Sequence, residues 1–196
     1  MMNVIYLLFS YLIGAISFGI VMSYLFSLPD PRTIGSKNTG ATNVLRTGKK
    51  LAALLTLLGD ALKGILTVGL AQYFELSPLM VALVAIATLL GHIFPIYYGF
   101  KGGKGVATAA GILFMFSWVM GFTVLAIWFG VFMIWRYSSL AAIIAGSLSP
   151  VIGFFYEIDF YQLIASSIIA LILILRHIDN LKRLISGTES SFKDKK

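Results

Sequence analysis

The chain has no cysteine, which removes disulfide frameworks, thiolate metal sites and thiol nucleophiles together. Charge is also scarce: Asp, Glu, Lys and Arg make up 12% of the 196 residues, against about 25% in an ordinary soluble domain. Hydrophobic residues make up 59%, and this balance excludes a soluble globule. Two histidines, His92 and His177, are too few for a histidine-rich metal site. Acidic groups are the scarcer charge, eight against fifteen Lys and Arg, so the formal net charge is +7. In a soluble protein that surplus would point to nucleic acid. Here the basic residues gather between apolar runs, as in loops held on the cytoplasmic side of a membrane and facing anionic lipid, and a nucleic-acid function is excluded. No Lys or Arg precedes the first apolar run, and no small-residue cleavage site follows it, so it reads as a retained segment and not a signal peptide.

A helix rises about 1.5 Å per residue, so a hydrocarbon core of about 30 Å requires about 20 apolar residues. Seven stretches approach that length: approximately 3–25, 51–71, 79–97, 104–120, 121–135, 138–155 and 160–177. The chain is therefore expected to be an all-α integral membrane protein, one polytopic domain over 1–196, with seven transmembrane helices and interfacial loops. The division inside 106–135 is the weakest. It holds two short spans with a turn near residues 119–122, or one span and a re-entrant piece, which separates seven crossings from five or six.

With the N-terminus outside and seven crossings, every loop Lys and Arg falls on one side. The inner loops hold Arg32, Lys37, Arg46, Lys49, Lys50, Lys101, Lys104 and Arg136, and the tail adds Arg176, Lys182, Arg183, Lys193, Lys195 and Lys196. The outer loops hold only Glu75, Glu157 and Asp159. This asymmetry predicts an external N-terminus and a cytoplasmic C-terminus. Ser77 before Pro78 is a helix start, Pro95 and Pro150 are expected to tilt or kink helices near an end, and Ser10/Gly14 and Ala15/Gly19 suit close helix packing. No internal repeat or soluble domain is present, and residues 188–196 read as a mobile tail.

Three polar clusters carry the chemistry. In Gly35-Ser36-Lys37-Asn38-Thr39-Gly40-Ala41-Thr42-Asn43-Val44-Leu45-Arg46, glycines let amides converge on an anion while hydroxyl, amide and guanidinium groups add directional donors. This suits a phosphate pocket or an ordinary polar loop, with Thr42 or Asn43 capping a short interfacial helix. It lacks the spacing of the nucleotide-binding P-loop. The second cluster follows His92 and runs Phe100-Lys101-Gly102-Gly103-Lys104-Gly105-Val106-Ala107-Thr108. Lysines among glycines suit phosphate, more so if Gly103 or Lys104 opens a helix; the plain alternative is a positively charged inner loop. The third is Arg176-His177-Ile178-Asp179-Asn180, with Gly187 and Glu189 beyond it. His177 and Asn180 share a helix face, in a setting where basic termination of a last span is also common. Asp60 and Lys63 lie three apart inside the second span, as a structural ion pair or a substrate-facing one. The charge-derived topology puts all three clusters on one membrane face, which favours one catalytic centre over three separate patches.

Taken in order, these three motifs resemble the bacterial acyl-phosphate-dependent glycerol-3-phosphate acyltransferases, over essentially the full chain. One departure is Lys37, where that family usually has glycine. The resemblance implies seven helices in the inner or plasma membrane. It also implies acyl transfer from acyl phosphate to the 1-hydroxyl of glycerol 3-phosphate, giving lysophosphatidic acid and phosphate, with no cofactor, no metal and no obligatory protein partner beyond membrane phospholipid. It places Ser36, Arg46, Lys104, His177 and Asn180 at the reacting centre. Gly35, Asn38, Gly40, Thr42, Asn43, Lys101, Gly102, Gly103 and Gly105 would bind substrate phosphate, with Asp60, Lys63 and Glu189 in support. The competing class is an organic-phosphate or phospholipid transporter, which the absence of a two-half repeat disfavours.

Overall fold

The computed structural model describes residues 2–191, and in them every regular element is helical. The end of the expected tail, with Lys193, Lys195 and Lys196, lies outside the described residues. Ten helices follow in order: α1 Met2–Gly14, α2 Phe18–Leu25, α3 Ala41–Leu45, α4 Lys50–Tyr73, α5 Pro78–Ile93, α6 Val106–Phe116, α7 Trp118–Trp135, α8 Ser138–Phe155, α9 Phe160–Arg176 and α10 Ile178–Ile185. A single 3-10 turn, Ile96–Tyr98, extends α5.

Four helices are long and apolar enough to cross a membrane: α4, α5 with its extension, α7 and α8. Two bent pairs, α1 with α2 at 43° and α9 with α10 at 56°, each form either a broken span or a re-entrant loop. Helix α6 has 11 residues and rises only about 16 Å, roughly half the hydrocarbon thickness. The chain is therefore a multi-pass membrane protein with four to six spans set by length and composition.

The expected segment 138–155 coincides with α8, and 51–71 lies within α4. Elsewhere the boundaries move. The continuous first span is broken at residues 15–17, and the turn expected at 119–122 falls at Ser117, whose hydroxyl accepts from the Met120 amide as the N-cap of α7. Ser77 and Asp159 cap α5 and α9 in the same way. The fourth segment opens at Val106, so Gly103 and Lys104 precede the helix and do not begin it.

Pro150 sits inside α8 without ending it, because Ser149 Oγ donates to the Gly146 carbonyl that proline cannot reach with an N–H, at 2.8 Å. Pro95 does end α5.

Large apolar side chains such as Leu62, Phe122, Phe129 and Leu171 point outward, and the interior is built from smaller residues around Leu89, Ile93, Ile112, Met120 and Ile169. Lipid offers no hydrophobic drive between helices, so close backbone contact has to supply the packing. Helix α1 lies on α5 where Gly14 meets the Thr88 backbone and Gly91 meets Tyr11 and Ala15; α4 lies on α6 through Gly64 and Gly111. Gly19 likewise abuts the Thr39 carbonyl, holding the first polar loop against α2.

Candidate active site

The first polar loop is organised by Asn43, which is buried at the start of α3. Its side-chain amide donates to the carbonyls of Pro31, Ile34 and Asn38 at 2.8, 3.1 and 2.9 Å, and its Oδ1 accepts from the Ser36 amide at 3.0 Å. Asn43 is thus fully engaged inside the loop, and the cap of α3 is Gly40, not Thr42 or Asn43. Thr42 reaches across to Ser138 at 3.2 Å, joining this loop to the start of α8.

The second loop is held from the membrane side. The amides of Gly102 and Gly103 donate to the carbonyls of Ile93 and His92, each at 3.2 Å, and the Lys101 amide to Tyr98 at 3.4 Å. A side chain at Gly102 would strike those same two carbonyls, and one at Gly103 would strike the His92 ring. Glycine is needed here for close approach. The amides of Ser36 and Lys37 also turn inward, to Asn43 and Ile34. The cradle of amides anticipated from the glycines is therefore not formed by these groups.

Beneath the second loop lies a buried triad. Lys63 Nζ stands 2.9 Å from Asp60 Oδ1, 2.7 Å from His92 Nδ1 and 2.8 Å from the Ile16 carbonyl at the break between α1 and α2. All three side chains are at most 4% exposed. Lys63 Nζ thus bridges the Asp60 carboxylate, the His92 ring and the Ile16 carbonyl. Asp60 and Lys63 form a buried ion pair beside His92 and the break between α1 and α2.

The third segment closes the site. Helix α9 ends at Arg176 and the chain bends through His177 into α10, with His177 and Asn180 both buried on the inner side. Lys104 Nζ donates to Asn180 Oδ1. Asn180 Nδ2 donates in turn to Glu189 Oε1 at 2.6 Å, and that oxygen also accepts from Ser139 at 2.7 Å. Arg183 Nε meets Glu189 Oε2 at 2.7 Å. The backbone amides of Thr188 and Glu189 donate to the Arg183 carbonyl, so the start of the expected mobile tail is held in the site.

Burial pushes the Lys104 ammonium down to about 8; Glu189 opposes the shift, while Arg183, Arg176 and Arg46 add to it. Burial also works against the Glu189 charge, yet hydrogen bonds from Ser139, Asn180 and Arg183 outweigh it and leave the carboxyl below its ordinary value. His177 Nδ1 must donate to the Leu173 carbonyl, 2.8 Å away, which leaves Nε2 as the nitrogen available to a substrate. Lys104 and Glu189 both act electrostatically on His177.

Two cavities open among these groups. One, of about 200 Å³, is lined by Ser36, Lys37, Asn38, Gly102, Lys104, Leu175, Arg176 and Asp179. The other, of about 920 Å³, runs between Gly35, Arg46 and Thr47 on one side and residues 187–191 on the other. Ser36 and Lys104 thus share the smaller cavity, Arg46 and Glu189 line the larger one, Asn180 links Lys104 to Glu189, and His177 lies within electrostatic reach of both; Asp60, Lys63, His177 and Asn180 line neither cavity. Ser139 and Arg183 join the site through Glu189. Sequence reasoning passed over Ser139, whose only local signal is a pair of serines at a helix start. Among the described residues, no three His, Asp or Glu side chains gather as metal ligands.

The fold and site define a helical membrane protein with cationic side chains gathered around cavities at one end of its bundle. Residues 4–187 match the family model described as Glycerol-3-phosphate acyltransferase. A Glycerol-3-phosphate acyltransferase of Methylobacillus flagellatus is 51% identical, covering 98% of both chains, and one of Nitrosospira multiformis is 52% identical, covering 92% of both. The crystal structure of PlsY (YgiH), an integral membrane glycerol 3-phosphate acyltransferase, superposes with a TM-score of 0.93 in its glycerol 3-phosphate form, at 36% identity over 98% of this chain and 96% of that one. Its lysophosphatidic acid form gives 0.92 at 35% identity with the same coverage. The chain belongs to the glycerol-3-phosphate acyltransferase family.

Proposed function

We propose that the chain transfers a fatty acyl group from acyl phosphate to the 1-hydroxyl of sn-glycerol 3-phosphate, giving lysophosphatidic acid and inorganic phosphate. The observation that carries this reading is the linkage of Lys104 to Asn180 and Glu189, beside Ser36 and Arg46, at the end of an apolar bundle. Relatives solved with glycerol 3-phosphate and with lysophosphatidic acid support substrate and product of this kind.

The substrate hydroxyl oxygen attacks the acyl carbonyl carbon, and the bond from that carbon to the phosphate oxygen breaks. The hydroxyl proton passes to His177 Nε2 or to a substrate phosphate oxygen. Lys104 and Arg46 offset charge on the phosphates and on the developing oxyanion, while Ser36 and Asn180 orient the reacting oxygens. Acyl phosphate is a mixed anhydride with a good leaving group, so neither a covalent enzyme intermediate nor a metal is required. The remaining proposed phosphate contacts are Gly35, Asn38, Gly40, Thr42, Lys101 and Gly105, while Asn43, Gly102 and Gly103, whose donors are spent inside the loops, hold those loops in shape.

The same reading places the chain in an inner or plasma membrane with seven passes, α6 being a half-length pass covered by α4 and α7. The N-terminus is external, the C-terminus is cytoplasmic, and no protein partner is needed.

Purified protein is expected to form lysophosphatidic acid only when both substrates are present, to keep doing so with chelator, and to reject acyl-CoA. Arg46→Ala and His177→Ala should each sharply reduce turnover. A folded wild-type protein that transfers no acyl group across a range of lipid conditions would overturn the reading.

A further inference from the structure

Lys37 stands in the left-handed backbone region at φ +56°, a conformation that glycine adopts freely and a lysine resists. Its amide donates to the Ile34 carbonyl at 2.9 Å and its neighbour's amide to Asn43, so the loop backbone here is closed on itself. What Lys37 adds is a side chain on the wall of the smaller cavity. That wall carries Lys37, Lys104 and Arg176 against one carboxylate, Asp179. Lys104 is partly engaged by Asn180, and Arg176 spans toward the Gly103 carbonyl at 3.4 Å. With the nearby amides of Ser36, Lys37, Gly102 and Gly103 all turned inward, the Ser36 hydroxyl, the Asn38 side chain and the side-chain cations are what the cavity offers an anion from these loops. Strained backbone kept in place at a ligand wall is a mark of function over stability.

We propose that Lys37 is a substrate-binding residue, whose ammonium engages the phosphate monoester occupying the cavity between the first loop, Lys104 and the end of α9. This rests on the acyltransferase reading above, and it assigns Lys37 to affinity and not to the chemical step.

The test compares wild type with Lys37→Met, which removes the charge, and Lys37→Gly, which removes charge and backbone strain together. The KM of glycerol 3-phosphate is measured at saturating acyl phosphate, and the reverse. Both variants should raise the KM of at least one phosphate substrate roughly fivefold with kcat held within about twofold, the effect of one partly exposed cation. The substrate whose KM rises identifies the phosphate in the cavity. The difference should shrink at high salt, and Lys37→Gly should melt above Lys37→Met. Both KM values staying within about 1.5-fold of wild type in both variants would overturn the proposal. Inorganic phosphate alone supplies a readout independent of turnover: it should raise the melting temperature of wild type more than that of Lys37→Met. Equal phosphate stabilisation of the two would also overturn the role of Lys37, whereas a wild type that is stabilised but transfers no acyl group would count against the acyltransferase reading alone.

Discussion

Replacing Gly103 with alanine puts a methyl group where the His92 ring already stands. The added carbon would lie 2.8 Å from His92 Cε1, 3.2 Å from Cδ2 and nearer still to Nε2, against an ordinary contact of 3.4 Å or more. The ring cannot retreat: it is 4% exposed and its Nδ1 is held 2.7 Å from the Lys63 ammonium. The loop has to yield by about an ångström, and the next residue is Lys104. A displacement of that size at a reacting centre lowers turnover about 10²-fold, while overpacking of this kind destabilises by about 1–3 kcal/mol. The assay is phosphate release from acyl phosphate in the presence of glycerol 3-phosphate, alongside thermal unfolding. Gly130→Ala on α7, where an added carbon meets open space, is the control and should keep the wild-type rate. A folded Gly103→Ala enzyme within threefold of wild type would refute the role of the His92 ring as the stop that positions Lys104.

Three further outcomes follow from the buried charges. Lys104, with its pKa at about 8, loses its proton as pH rises through that value, so kcat/KM should fall about tenfold per pH unit above it; Lys104→Arg should abolish that limb even where its rate is lower. The folded state then binds fewer protons than the unfolded chain, so substrate-free stability should rise with pH from about 8 toward the ordinary lysine range. Lys63→Met strands the Asp60 carboxylate and the Ile16 carbonyl, and should lower unfolding free energy in detergent by roughly 3–5 kcal/mol; Asp60→Asn with Lys63→Met should lie nearer wild type than the single change, and simple additivity would contradict the pairing.

Asp159, read only as an outer-loop charge, caps α9, whereas the length of α8 was readable from an apolar run bounded by Arg136 and Glu157 and the cap at Ser77 from the proline after it. The break at residues 15–17 was not, since Ala15, Ile16 and Ser17 carry no proline and interrupt no charge pattern; the Lys63 contact with the Ile16 carbonyl is tertiary. Residue types in the three motifs pointed to a phosphate site, but their glycines were read as amide donors when several serve close packing. That distinction depends on His92 lying behind Gly103, eleven positions away in sequence and invisible to local spacing. Glu189 fell at the edge of an apparently free tail, and only the meeting of Ser139, Asn180 and Arg183 shows why it is held.

Because the chain has no native cysteine, single cysteines at Ser36, Lys101 and Asp179 can be labelled without background. In oriented vesicles a membrane-impermeant maleimide should reach all three from the same side, and glycerol 3-phosphate should slow labelling at Asp179→Cys, beside the smaller cavity. Reaction of any one of the three from the opposite face would mean that the three segments do not share one phosphate-binding centre.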